Sequence, residues 1–197
     1  ILKLLLGYYK PTEGTILLNG KELHEYSCHA WREACGTVMQ EGFIFSDTIE
    51  HNICLKEKNS NKERLDYAAR VANIETFIHS LPLGYNTKIG MEGNGMSSGQ
   101  KQRILIARAV YKNPSYILLD EATNALDSNN EQLILERLQN FYRGKTVVVI
   151  AHRLSTIRKA DHILVLDSGK VTESGRHEEL LKRKGLYYEL VNKQLDL

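Results

Sequence analysis

The feature that most constrains the fold is a regular alternation of helical segments with apolar runs from Gln100 onward. Helical patterns at 100–112 and 129–141 alternate with YILLD (116–120), KTVVVI (145–150) and HILVLD (162–167). Continuous apolar runs between helices favour a parallel sheet that is covered on both faces. A helix-rich stretch at about 46–98 interrupts this alternation. We therefore predict an α/β core formed by residues 1–45 and 99–197, with residues 46–98 as an inserted helical lobe.

The composition fits one soluble domain and argues against several function classes. The 197 residues are 42% hydrophobic, which is enough for a sizeable core. The 26 basic and 24 acidic residues leave a net charge of only +2, which argues against a nucleic-acid partner. No apolar run approaches the roughly 18 residues needed to cross a bilayer, and no signal peptide or lipidation signal is visible. We expect the chain by itself to be soluble.

The spacing of the three cysteines indicates a reducing cellular compartment and does not indicate a metal site. Cys28, Cys35 and Cys54 form no CxxC pair and have no metal-ligand spacing. They are typical of free thiols in a reducing compartment.

Two adjacent carboxylates, Asp120 and Glu121, follow the apolar run YILL. Ligands of open parallel sheets bind at the carboxyl ends of the strands. A carboxylate at that edge suits Mg²⁺, and the next residue could orient water for attack on a phosphoryl group. The alternative is that both residues begin a turn and cap nearby backbone N–H groups.

A cluster of small polar residues, MSSGQ (96–100), opens the basic helical segment. Free N–H groups at a helix start attract anions, and the helix dipole favours negative charge there. Ser97 adds a hydroxyl group, and Gly99 lets the backbone approach a phosphate closely. The alternative is a plain serine N-cap.

Three further polar residues stand at or after predicted element ends. His152 follows KTVVVI and could donate to a phosphate oxygen or help to place water, although an isolated histidine is more often a satisfied core residue. Gln40 ends the apolar run TVMQ, where its amide could bridge metal and water. Asp127 could simply cap helix 129–141.

The order and spacing of these motifs resemble the nucleotide-binding domain of ATP-binding-cassette (ABC) transporters. MSSGQ resembles the signature motif LSGGQ, and YILLDE resembles the Walker B segment with its catalytic glutamate. Gln40 corresponds to the Q-loop glutamine, NALD to the D-loop, and His152 in AHRLS to the switch histidine. The resemblance covers essentially all 197 residues. It implies a P-loop NTPase (RecA-like) fold with a mostly parallel sheet and an inserted helical subdomain that ends in the signature loop.

The resemblance also implies the chemistry of the site, with ATP and Mg²⁺ as cofactors. Asp120, through water, and Gln40 are the expected metal ligands. Glu121, which positions or deprotonates the attacking water, and His152, which steadies the γ-phosphate, are the expected catalytic residues. The residues expected to bind the nucleotide are Gln40, Ser97, Gly99, Gln100, Asp120 and Asp127.

Membership of that family would make the parent protein an ATPase that drives transport. The implied partners are a second nucleotide-binding domain, packed head to tail, and transmembrane domains in the same polypeptide. Ser97, Gly99 and Gln100 would then close on the nucleotide of the other copy. The implied location is the cytoplasmic face of the inner membrane, and no nucleic-acid partner is expected.

The phosphate-binding loop of the family, G-x-x-x-x-G-K-[ST], is absent from the sequence. By the family's spacing its last residues would lie immediately upstream of Ile1, and the aromatic residue that stacks on adenine would lie further upstream. We therefore interpret the chain as an N-terminally truncated fragment. Because the loop N–H groups and the lysine cradle the phosphates, we expect the fragment alone to be inactive.

Two positions depart from the family pattern. Ser98 replaces the first glycine of the signature, and a positive φ there would cost on the order of 1 kcal/mol. Met91 and Glu92 stand where exporters carry the acid and the base of a Gly-Glu-Arg-Gly run, which weakens the case for an electrostatic contact with the membrane domain.

The flanking segments resemble exporters, and SSGQKQRILIARA resembles bacterial exporters of peptides and bacteriocins, some of which carry an N-terminal cysteine peptidase domain. Lipid or drug exporters are the near alternative. A soluble ABC ATPase acting on DNA or ribosomes, and a degenerate cassette without catalysis, are the alternatives from other classes.

Overall fold

The computed structural model describes residues 1–40, 42–55, 60–90, 95–122, 126, 128–151 and 153–195. Two compact units, Ile1–Val149 and Ile150–Leu197, are distinguished by their internal contacts. Within the described ranges, no helix is both long and apolar enough to cross a bilayer.

The first unit contains the sheet and the helices that surround it. Its elements are α1 (Leu2–Leu5), β1 (Leu17–Leu18), β2 (Lys21–Glu22), α2 (Cys28–Ala34), β3 (Cys35–Val38), β4 (Asp47–Thr48), α3 (Ile49–Cys54), α4 (Lys62–Val71), α5 (Glu75–Ser80), β5 (Lys88–Ile89), α6 (Ser98–Lys112), β6 (Tyr116–Asp120), α7 (Ser128–Tyr142) and β7 (Thr146–Ile150). The last of these strands, β7, ends at the boundary between the two units. The helices α3, α4 and α5 lie in the predicted lobe at 46–98, whose division from the core stays a prediction.

The central sheet has the strand order β3-β6-β7. Strands β3 and β6 are parallel, and Val38 lies opposite Leu119 near their carboxyl ends. The predicted α/β fold class with parallel strands is confirmed. Two short antiparallel pairs, β1 with β2 and β4 with β5, accompany this sheet.

The long helix α6 links the predicted lobe to the sheet. It packs against α3, α4 and β3. Its side chains Ile104 and Ile106 are at most 1% exposed, as is Ile53 of α3. Each buried aliphatic side chain contributes about 1.5–3 kcal/mol relative to exposure, so this interface is a large part of the core.

Sequence patterns locate the helix ends to within one or two residues. Gly7 ends α1 as predicted, with φ +68° and with its N–H donating to the carbonyl of Leu4 at 3.0 Å. In the sequence, Asp47 with Glu50 and Ser60 with Glu63 have the spacing of helix caps, which predicts Asp47 and Ser60 as the first residues of two caps. That prediction is wrong, because Thr48 caps α3 and Asn61 caps α4. Each true cap stands one residue later and accepts the backbone N–H three residues on.

The second unit is an antiparallel hairpin packed against helices. Its elements are α8 (Leu154–Ile157), β8 (Ile163–Asp167), β9 (Lys170–Gly175), α9 (His177–Arg183) and α10 (Leu186–Leu195). The backbone N–H groups of Leu186 and Tyr187 donate to the carboxylate of Glu173 at 2.9 and 3.0 Å. A strand side chain therefore caps the start of α10.

We predict that Gly185→Ala destabilises this unit. A Cβ atom at Gly185 would lie 1.7 Å from an oxygen of Glu173, so the carboxylate must rotate away and lose both hydrogen bonds to α10. Loss of the cap should lower the free energy of unfolding by about 1 kcal/mol. Urea unfolding followed by circular dichroism measures this change. Gly95→Ala is the matched control, because nothing lies within 4 Å of a Cβ there; an equal effect at both positions would contradict the capping role.

Candidate functional site

The serine-rich start of α6 is a capping box. The hydroxyl of Ser97 accepts the backbone N–H of Gln100 at 3.2 Å, and the side-chain oxygen of Gln100 accepts the N–H of Ser97 at 2.9 Å. This reciprocal pair starts the helix two residues before the predicted 100–112 and fixes the direction of its first turn. Ser97 and Ser98 are exposed, so the amino end of α6 faces solvent within its own chain.

The departure at Ser98 carries no backbone strain. Ser98 is the first residue of α6, and it is not among the positive-φ residues of the described chain. The expected cost of about 1 kcal/mol for a side chain at this position therefore does not arise.

The end of β6 carries the two predicted carboxylates. Asp120 is the last strand residue, and Glu121 follows it with φ 50°; both are partly buried. A left-handed backbone at a residue other than glycine costs on the order of 1–3 kcal/mol and is common at functional sites. The backbone thus bends at Glu121, directly after the strand.

Gln40 lies at the same edge of the sheet. Strand β3 ends at Val38, and the parallel register of Val38 with Leu119 brings the ends of β3 and β6 together. Gln40 follows two residues later, outside the strand, and its side chain is exposed. The predicted strand 37–40 is therefore placed two residues too late.

The donor types at this edge fit a hard divalent cation. A carboxylate from Asp120 and an amide oxygen from Gln40 are the ligands that Mg²⁺ takes in phosphate-binding enzymes, with water and phosphate oxygens filling the other positions. In the part of the chain that the structure describes, no group of three or more His, Cys, Asp or Glu residues lies together in a way that could hold a metal ion.

Some predicted positions lie outside the described residues. These are His152, Asp127 and the departures Met91 and Glu92. Their predicted roles stay predictions. The sheet edge is therefore described through Gln40, Asp120 and Glu121.

Asn52 of α3 was not singled out in the sequence, yet it holds the segment that follows Gln40. Its side chain is fully buried, accepts the N–H of Phe45 at 2.8 Å, and donates to the carbonyls of Phe45 and Thr48, both at 3.0 Å. A fully buried amide satisfied by backbone groups fixes a loop conformation. The sequence feature that could have indicated its burial is its position three residues after Ile49, which places both residues on the same face of α3.

Arg108 links this segment to α6. Its guanidinium donates to the carbonyls of Asn52 at 2.7 Å and Phe43 at 3.0 Å, and it lies over the ring of Phe45. Burial lowers the pKa of Arg108 to about 10, which leaves the group charged at neutral pH. The helix that begins with the capping box therefore also supports the loop after Gln40.

Gln102, in the second turn of α6, is a further residue that sequence reasoning missed. It is 8% exposed, and its amide nitrogen donates to the carbonyl of Ala122 at 2.9 Å. The run GQKQR is polar, which favours a solvated face, but Gln102 is four residues from the buried Ile106 and so lies on the apolar stripe. That spacing was the signal for its burial.

Comparison with known proteins decides the family. The sequence profile described as ABC transporter matches residues 1–124. This chain belongs to the ABC transporter family. The domain is 47% identical over 98% of its length to ABC transporter B family member 13 of Arabidopsis thaliana, of which it covers 16%. It is also 47% identical over 98% of its length to ATP-binding cassette sub-family B member 10, mitochondrial, of Mus musculus, of which it covers 28%.

A solved structure agrees with these relatives. The ABC domain superimposes on a structure titled "Structure of a bacterial Atm1-family ABC exporter with ATP bound" with a TM-score of 0.94 and 43% identity, over 98% of this chain and 34% of that chain. The prediction of an ABC-type P-loop NTPase fold is confirmed. The chain spans less than a third of the curated relatives named above.

We predict that Asn52→Leu lowers the free energy of unfolding by about 2–4 kcal/mol. The buried side-chain amide would no longer bond to the backbone of Phe45, Asp47 and Thr48. Urea denaturation of the purified domain measures this change. Asn140→Leu, on an exposed position of α7, should change stability by at most about 0.5 kcal/mol. Comparable effects of the two substitutions would argue against Asn52 as an organiser of the loop.

Proposed function

We propose that this domain is the ATP-binding and ATP-hydrolysing motor of an ABC exporter, working as a head-to-tail pair with a second nucleotide-binding domain. The observation that supports this proposal is that the polar groups of one chain lie at two separate places, the sheet edge and the start of α6. Asp120 and Glu121 stand at the sheet edge, whereas the capped start of α6 presents Ser97 and Ser98 to solvent. A helix start that faces outward suits the phosphates of a nucleotide held by another molecule.

Each residue at the edge has one proposed role. Asp120, through water, and Gln40 hold Mg²⁺, which when bound neutralises charge on the transferred phosphoryl group. Glu121 accepts a proton from the attacking water or orients it, and the turn at its positive φ supports this role. His152 donates to the γ-phosphate, and Asp127 contributes from the D-loop.

The signature residues close the other side of the nucleotide. Free N–H groups at Ser98 and Gly99, together with the hydroxyl of Ser97, supply donors to a phosphate. Gln100 already uses its side-chain oxygen in the capping box, so its amide nitrogen is the group available to a ligand. Closure in trans therefore does not require α6 to unwind.

The exposed aromatic side chains that follow Gln40 support the docking of a membrane domain on this part of the chain. Phe43 and Phe45, 66% and 46% exposed, meet edge to face with centroids 5.0 Å apart. A cavity of about 380 Å³ next to them is lined by Phe45, Ser46, Asp47, His51 and Leu55. Exposed aromatic side chains beside a pocket are typical of protein interfaces. We place the transmembrane domains in the same polypeptide and the motor at the cytoplasmic face of the inner membrane.

The transported cargo that we propose is a peptide or a bacteriocin-like substrate. Resemblance of SSGQKQRILIARA to peptide exporters supports a peptide or bacteriocin-like cargo, with an N-terminal peptidase domain in some of those proteins. A drug or lipid cargo is the second candidate, because the domain is 46% identical over 98% of its length to a protein named ABC multidrug transporter atrD from Emericella nidulans, of which it covers 14%. Transport assays of the full-length protein with both cargo classes would separate them.

We expect residues 1–197 alone to hydrolyse no ATP and to bind it weakly. The sequence contains no G-x-x-x-x-G-K-[ST] run, and hence no lysine and loop N–H groups of that type to cradle the phosphates. Titration calorimetry and phosphate release at about 1 mM ATP, the upper end of ordinary KM values, measure both properties. Steady Mg²⁺-dependent turnover by these residues alone would contradict this expectation.

We predict that Glu121→Gln in the full-length protein abolishes turnover and leaves nucleotide affinity nearly unchanged. Losing the base should lower kcat by at least about 100-fold, while ATP binding changes by at most about twofold. Phosphate release and sedimentation in ATP measure turnover and the trapped ATP-bound pair. Glu136→Gln on an exposed position of α7 is the matched control and should retain wild-type kcat. Full turnover by Glu121→Gln would remove Glu121 as the base.

A further inference from the structure

We propose that Gln102 is a positioning residue for Glu121, acting through its hydrogen bond to the backbone that follows the glutamate. The inference rests on the proposed function, because it names what holds the proposed base in place. Gln102 is not proposed to touch the nucleotide, and its side chain faces the interior of its own chain.

The first observation is the conformation of the turn. Glu121 leaves β6 with φ 50°, a left-handed conformation that residues other than glycine adopt only when their surroundings hold them there. Ala122, the next residue, is 5% exposed. The backbone conformation at Glu121 is therefore coupled to how firmly the neighbouring Ala122 is held.

The second observation is the bond that fixes it. The amide nitrogen of Gln102 donates to the carbonyl of Ala122 at 2.9 Å, across twenty positions of sequence. Both residues are buried, so water competes little for this carbonyl. Loss of the donor would leave a buried carbonyl without this partner and would release the turn from α6.

The third observation is the position of Gln102 in the well-packed part of α6. Gln102 lies two residues after the Ser97–Gln100 capping box, whose hydrogen bonds fix the first turn of α6. Its neighbours on the helix, Ile104 and Leu105, are buried and aliphatic. A rigid, well-packed helix holds a donor to the few tenths of an ångström that placement of a base requires.

The experiment compares Gln102→Met and Gln102→Asn in the full-length protein. Methionine keeps the length and volume and removes the donor, whereas asparagine keeps an amide donor and leaves a gap. We expect Gln102→Met to lower kcat by about 10- to 100-fold with the KM for ATP within about twofold of wild type. We expect Gln102→Asn to retain more of kcat than Gln102→Met. A role in packing alone predicts the opposite order, and that order would overturn the proposal.

Two controls separate positioning from general destabilisation. Gln132→Met, on an exposed position of α7, makes the same chemical change where the amide donates to the exposed Glu136 at 3.4 Å. Ile104→Val removes one buried methylene from the same helix and leaves the Gln102 amide in place. Both should keep kcat within about twofold of wild type at a temperature where all variants are folded. A loss of kcat in Ile104→Val equal to that in Gln102→Met would overturn the proposal. If Gln102→Met does not fold, Gln102→Leu replaces it as the variant without a donor.

A double-variant cycle with Glu121→Gln distinguishes this inference from the proposed function. If Gln102 acts through Glu121, the double variant should be no slower than Glu121→Gln alone. Loss of turnover in Glu121→Gln combined with wild-type kcat in Gln102→Met overturns the positioning role alone. Wild-type turnover in Glu121→Gln overturns the assignment of the base, and the positioning role with it. A raised KM at unchanged kcat in Gln102→Met would assign Gln102 to nucleotide binding and would also overturn the proposal.

Discussion

The packing of α6 between the helical lobe and the sheet is the constraint on which the rest of the first unit depends. Buried aliphatic side chains hold the helix against α3, α4 and β3. Three polar contacts extend from this rigid core to separate parts of the site, at the capping box, at Ala122 and at the loop after Gln40. Because all three belong to one helix, a shift of α6 would move the signature residues and their supports together.

Two buried side-chain amides, one on α6 and one on α3, hold loop backbone. Gln102 and Asn52 are at most 8% exposed, and they donate to the carbonyls of Ala122 and Phe45. In such surroundings the alternative to a made hydrogen bond is an unsatisfied polar group, so each contact selects one loop conformation. The proposed chemistry at Asp120 and Glu121 uses loops that have been fixed in this way.

The fold class and the candidate carboxylates could be predicted from the sequence because both depend on local patterns. The continuous apolar run YILLD is a buried strand, and it places Asp120 at a strand end without any knowledge of tertiary contacts. The supporting residues could not be read in the same way. Gln102 and Asn52 satisfy backbone groups of loops distant in sequence, and their partners are known only once the chain has folded. Helix starts were missed by one residue because Asp47 and Thr48 are both good caps, and tertiary packing chooses between them.

In the proposed function, one nucleotide is shared by the sheet edge of one copy and the α6 start of another. A structure of the full-length protein with Mg²⁺ and a non-hydrolysable ATP analogue tests this arrangement. We expect Ser97 of one copy at about 3 Å from the γ-phosphate, a hydrogen-bond distance, with Asp120 and Glu121 of the other copy on the opposite side. A γ-phosphate that contacts Ser97 and Asp120 of the same copy, or an α6 start that faces solvent in the ATP-bound state, would contradict it.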